Sequence, residues 1–110
     1  HKTHVALPEK KNEAIAVIGM SGQFPKAANV AEFWDNIAAA KDCISQIPHD
    51  RWRTNKKITC NWMGVLEDVD KFDPLFFSIS PAEAELMDPQ QRLFLENCWH
   101  CIEDAGLSPE

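Results

Sequence analysis

Apolar and polar residues alternate along this chain in more than one rhythm, and each rhythm predicts a different element. Residues 14–18 read AIAVI, an unbroken apolar run that ends at Gly19. A run of that length bounded by a turn residue predicts a strand covered on both faces, with neighbours on both edges. The following GMSGQFP, with Gly19, Gly22 and Pro25, predicts a sharp exit into a loop. Val30, Phe33, Trp34 and Ile37 then recur at helical spacing behind Asn29, with Glu32 in the capping-box position. They predict a helix over about 30–40 that frays at Lys41 and Asp42.

The middle of the chain is less regular. ISQIPHDRW fits a short strand or an extended turn, RTNKKITC is polar, and GVLEDVDKFDPLFF predicts a turn-rich stretch pinned by Val65, Leu66, Val69 and Phe72. Two cap-and-proline signals follow. Ser80, Pro81 and Glu83 predict a short helix through about Met87, and Asp88, Pro89 and Gln91 open a second one over about 89–105. That second helix carries Leu95, Cys98, Trp99, Ile102 and Ala105 on one stripe and Phe94 and Cys101 on the adjoining one, a girth that predicts burial. Gly106 fits its left-handed terminal residue, with Leu107 folding back onto Ile102 and Pro109 preventing resumption. Residues 1–12, with Lys2, Lys10 and Lys11 around Pro8, predict a linker or extended arm ahead of a segment at 13–110.

These elements do not close into a domain by themselves. The backbone groups of the AIAVI strand need partners once buried, and only ISQI and MGVL offer any, whereas a stable sheet takes about three strands or more. The long helix likewise has more apolar surface than one strand and one short helix can cover. The expected fold class is therefore α/β, incomplete alone, with the missing structure supplied by more chain or another copy.

Composition narrows the function classes. The chain has 110 residues, 45% hydrophobic and 25% charged, in the range of a packed domain. A net charge of −6 without a basic stripe argues against nucleic acid as a partner. No apolar run approaches the roughly 20 residues of a membrane span. The start lacks the apolar core of a secretory signal, so a cytoplasmic location with no membrane partner is expected. The four cysteines, Cys43, Cys60, Cys98 and Cys101, are expected as free thiols.

Candidate chemistry is sparse. Cys98-x-x-Cys101 encloses His100, yet a zinc site needs four converging ligands and a redox pair needs its first sulfur at a helix N-terminus, so core packing is the favoured role. Gly19 and Gly22 lack the third glycine of a dinucleotide turn and read as a structural turn. Glu67, Asp68, Asp70 and Asp73 lack the glycine and closing glutamate of a calcium loop and read as a solvated turn. His49, beside Asp50 and Arg51, reads as a surface histidine. Asp88-Pro89-Gln90-Gln91-Arg92 starts a helix and, with an exposed arginine, could also serve an interface. No metal or directly bound cofactor is expected, and no catalytic residue is assigned.

The wording of two stretches carries more. EAIAVIGMSGQFPKAANVAEFWDNIAAAKDCISQIPHDRW and GVLEDVDKFDPLFFSISPAEAELMDPQQRLFLENCWHCIEDAGLSPE resemble the N-terminal part of the ketosynthase (beta-ketoacyl synthase) domain of modular, type I polyketide synthases. The resemblance runs from Glu13 to Glu110 and implies the first core strand and flanking helices of a thiolase-like fold. It implies a parent enzyme that performs decarboxylative Claisen condensation between an enzyme-bound acyl thioester and malonyl-acyl carrier protein. The family's catalytic cysteine and two histidines lie beyond this segment, and no cysteine or histidine here matches their motifs. The implied partners are the remainder of the ketosynthase domain, an acyl carrier protein whose phosphopantetheine presents the substrate, and a second copy in a homodimer. An alternative is a truncated, non-catalytic piece that acts as a structural or docking module in a synthase assembly. The chain departs from the family wording at Gln23, where arginine is usual, at Met63, where a second glycine is common, and at His100 and Cys101. Its segment between Trp52 and Cys60 is also short.

Overall fold

The computed structural model describes residues 13–51 and 60–108. The arm expected at residues 1–12, most of the polar segment after Arg51 and the stop expected at Pro109 lie outside the described residues. In order the elements are α1 (Val30–Ala38), β1 (Ser45–Gln46), β2 (Trp62–Met63), α2 (Pro81–Leu86) and α3 (Pro89–Asp104). The two short strands pair antiparallel, Ser45 opposite Met63 and Gln46 opposite Trp62. Ile47 extends the pair by donating its N–H to the Asn61 carbonyl at 2.8 Å. Both stretches named as possible strand partners thus pair with each other rather than with the AIAVI run.

That run shows the expected shortage of strand partners. Residues 14–18 are exposed and form no strand among the described residues, with Ile15 94% and Val17 79% accessible. The residues have strand character, but nothing in the described chain offers a ladder or a covering layer. Fully burying a side chain such as Ile15, Val17 or Ile18 is worth about 1.5–3 kcal/mol, so the run leaves several kcal/mol of stabilisation unused. α3 is under-covered for the same reason, as its excess of apolar surface implied. Leu95, Cys98, Trp99, Cys101, Ile102 and Ala105 are half-buried and Phe94 is exposed. Among the described residues only Ala27 and Ala84 are buried.

What the chain does contain is strong local punctuation. Asn29 caps α1 by accepting from the Glu32 N–H at 2.9 Å, while the Glu32 carboxylate reaches back to the Ala28 N–H at 2.8 Å. Ser80 caps α2 through the Glu83 N–H at 3.2 Å, and Asp88 caps α3 through the Gln90 N–H at 2.8 Å, one residue earlier than the Gln91 box position. A third such start went unread in the sequence: Asp73, followed by Pro74, accepts from the Phe76 N–H at 3.2 Å and opens a single tight turn. Three cap-and-proline starts therefore follow one another at residues 73, 80 and 88.

The ends are equally specific. α3 closes with paired bonds from Gly106 N–H to Glu103 O at 2.9 Å and from Leu107 N–H to Ile102 O at 3.1 Å, with Gly106 at φ +72°. The same bond pattern ends α1, from Ala40 to Ile37 and from Lys41 to Asn36, and ends the turn after Asp73, from Ser78 to Leu75 and from Ile79 to Pro74. Ala40 and Ser78 hold φ +50° and +56° there, a conformation that costs an L-residue about 1–2 kcal/mol. The fraying expected at Lys41 is thus a formed cap.

The AIAVI run meets α3 at Gly19. A Cβ on Gly19 would lie 2.6 Å from the Cys101 carbonyl oxygen and 2.9 Å from the Ala105 nitrogen, both backbone atoms that cannot swing aside. The next two residues lock the approach: Met20 donates its N–H to Asp104 Oδ2 at 2.9 Å, and Ser21 Oγ donates to the Asn97 carbonyl at 2.5 Å. Gly19→Ala is expected to cost about 1–3 kcal/mol in thermal unfolding of a folded polypeptide carrying this segment, because the seam must open. Gly106→Ala, which meets open space and pays only for its positive φ, should cost about 1 kcal/mol; equal costs at the two positions would contradict the close approach.

Candidate functional site

Three segments meet along α3: the turn at residues 20–24 and the aromatic turn at 74–78 against its C-terminal half, and the acidic turn at 67–73 through Arg92 in its first turn. Phe76 stands edge-on to Trp99 of α3 with ring centroids 4.6 Å apart, and Phe77 stacks on Phe72 at 5.2 Å. These rings fix the aromatic turn against the helix, each contact worth about 0.5–1.5 kcal/mol beyond area burial. Above them opens a cavity of about 420 Å3 lined by Gln23, Asp68, Lys71, Glu96, Trp99 and His100, with Phe76 and Phe77.

The charges around that cavity are unevenly matched. Lys71 bridges Asp68 at 2.8 Å, and that hydrogen bond and the Asp68 charge raise the lysine's pKa. Glu96 forms no ion pair or hydrogen bond among the described residues. Desolvation raises its pKa, opposed by the charges of His100 and Arg92. Gln23, at the position where the family wording has arginine, lines the same cavity as Glu96 and Asp68. An arginine there would face two carboxylates; the amide brings no charge.

Arg92 is not the exposed arginine expected from the sequence. Its Nη1 donates to the carbonyls of Ala84 at 3.0 Å and Met87 at 3.4 Å, and its Nη2 to that of Val69 at 3.3 Å. One guanidinium therefore ties the end of α2, the acidic turn and the first turn of α3 together through three backbone carbonyls. Its Nε is buried without a partner. The sequence gives Arg92 four residues after Asp88 but not the carbonyls it meets.

The other residues singled out by motif do not converge. Cys98 and Cys101 are half-buried free thiols, and exposed His100 lies 3.3 Å from the Glu103 carboxylate. No group of three or more metal-binding side chains occurs among the described residues. His49 and Asp50 are exposed, and Arg51 donates to the Leu66 carbonyl at 2.6 Å. In the acidic run, Asp68 adopts φ +52° and pairs with Lys71 while Asp73 caps its turn. Met63, in place of a glycine, sits in β2 opposite Ser45.

This arrangement is a scaffold face, and residues 12–110 match the family model described as beta-ketoacyl synthase, N-terminal domain. The chain belongs to that family. Among curated relatives, the polyketide synthase PksM of Bacillus subtilis is 52% identical over 107 residues, covering 89% of this chain and 2% of that protein. Among solved structures, the ketosynthase from module 6 of the bacillaene synthase of Bacillus subtilis superposes with a TM-score of 0.82 at 50% identity, covering 87% of this chain and 17% of that one. An oxazolomycin ketosynthase domain of Streptomyces albus matches with a TM-score of 0.74 at 41% identity, covering 80% and 17%. The chain is thus an N-terminal fragment of the thiolase-like ketosynthase fold, spanning about one-sixth of the solved ketosynthase chains it matches. No helix among the described residues is long and apolar enough to cross a membrane.

Two substitutions test the ketosynthase segment's polar framework. Arg92→Lys presents one ammonium where three carbonyls are spread, and should destabilise the domain by about 2–3 kcal/mol in denaturant unfolding; a loss under about 0.5 kcal/mol would show that the guanidinium bonds are dispensable. Gln23→Arg should lower the Glu96 pKa and add about 0.5–1 kcal/mol at neutral pH. That gain requires ionised carboxylates, so it should fade as pH falls through the carboxylate range and shrink in a Glu96→Gln background, where only Asp68, already paired with Lys71, remains. A gain undiminished in the double variant, measured as a thermodynamic cycle, and unchanged by pH would assign it to packing instead.

Proposed function

We propose that this segment supplies the first core strand and its flanking helices to a polyketide synthase ketosynthase. The parent enzyme performs decarboxylative Claisen condensation: an acyl chain rests as a thioester on a cysteine, and malonyl-acyl carrier protein loses carbon dioxide. The resulting carbanion attacks the acyl carbonyl, and the cysteine thiolate leaves. Malonyl and acyl groups arrive on the phosphopantetheine arm of the carrier protein. The nucleophilic cysteine and the two histidines that stabilise the enolate and oxyanion belong to a later part of the domain. In this reading the segment's own cysteines carry no acyl group, the parent enzyme is a cytoplasmic homodimer, and the segment's partners are the rest of the domain and the carrier protein.

The observation that carries the reading is a combination. The described chain keeps the ketosynthase arrangement at a TM-score of 0.82 and 50% identity, while residues 14–18 remain exposed and without a ladder. A surface made for burial, on a fragment that already matches one end of a larger fold, is what a first core strand presents before its neighbours are added.

Acyl loading tests the assignment. A polypeptide carrying this segment through the end of its ketosynthase domain, treated with an acyl N-acetylcysteamine thioester, should gain one acyl mass on a cysteine outside residues 1–110. Cys98→Ala and Cys101→Ala should leave that loading intact. Peptide mapping that places the acyl group on Cys43, Cys60, Cys98 or Cys101 would overturn the reading, and a domain that takes no acyl group at all would favour a non-catalytic docking role.

A further inference from the structure

We draw no further inference here: the strongest candidate, the open cavity between α3 and the turns at residues 68–77, rimmed by Asp68, Glu96 and His100 and floored by Phe76 and Trp99, belongs to the site already described, and nothing in the structure shows what covers it.

Discussion

A peptide group removed from water must hydrogen-bond, and the stretch Ala14–Ile18 has nowhere within the described chain to do so. Its side chains ask for burial while its N–H and C=O groups ask for a ladder. Each unmet backbone group in an apolar setting costs on the order of 1–3 kcal/mol, so the run can be buried only together with neighbouring strands. Without them it stays in solvent, with Ile15 almost fully accessible. The consequence spreads: with no sheet to rest on, the apolar flank of α3 is only half covered, and the buried set among the described residues shrinks to two alanines.

The chain nevertheless holds a defined arrangement because its polar devices are local. Side-chain caps start each helix, paired carbonyl bonds close α1 and α3, and Arg92 joins three elements with one guanidinium. The caps need only residues close in sequence, while Arg92 reaches as far as Val69, 23 residues back. The seam at Gly19 adds the long-range fixing, since Met20 and Ser21 bond to α3 across more than seventy residues of chain. Local structure thus stands ready for a sheet that the rest of a ketosynthase would bring, which accounts for a close structural match over one-sixth of that fold.

Helix starts were readable in the residues because they depend on side chains that advertise themselves. Asn29, Ser80-Pro81 and Asp88-Pro89 each cap as expected, and the third proline start at Asp73-Pro74 was overlooked although it carries the same signal. Helix ends divide differently. Gly106 announces its positive φ, whereas Ala40 and Ser78 adopt one with residue types that do not favour it, so no local pattern could reveal them. Arg92 was misjudged because its partners are carbonyls, and every residue has one. The family wording and the shortage of strands were both legible: periodicity at 14–18 and along α3 reports which face seeks cover, and the count of candidate strands reports that the cover is missing, so these faces stay open in this chain.

Amide hydrogen exchange at residues 14–18 tests the central claim most directly, comparing the 110-residue chain with the same segment inside a complete ketosynthase domain. In the short chain these amides should exchange at rates close to those of an unstructured peptide, and in the domain they should be among the most slowly exchanging. Strong protection of all five in the short chain would mean that the run finds its ladder without the rest of the fold, contradicting the account.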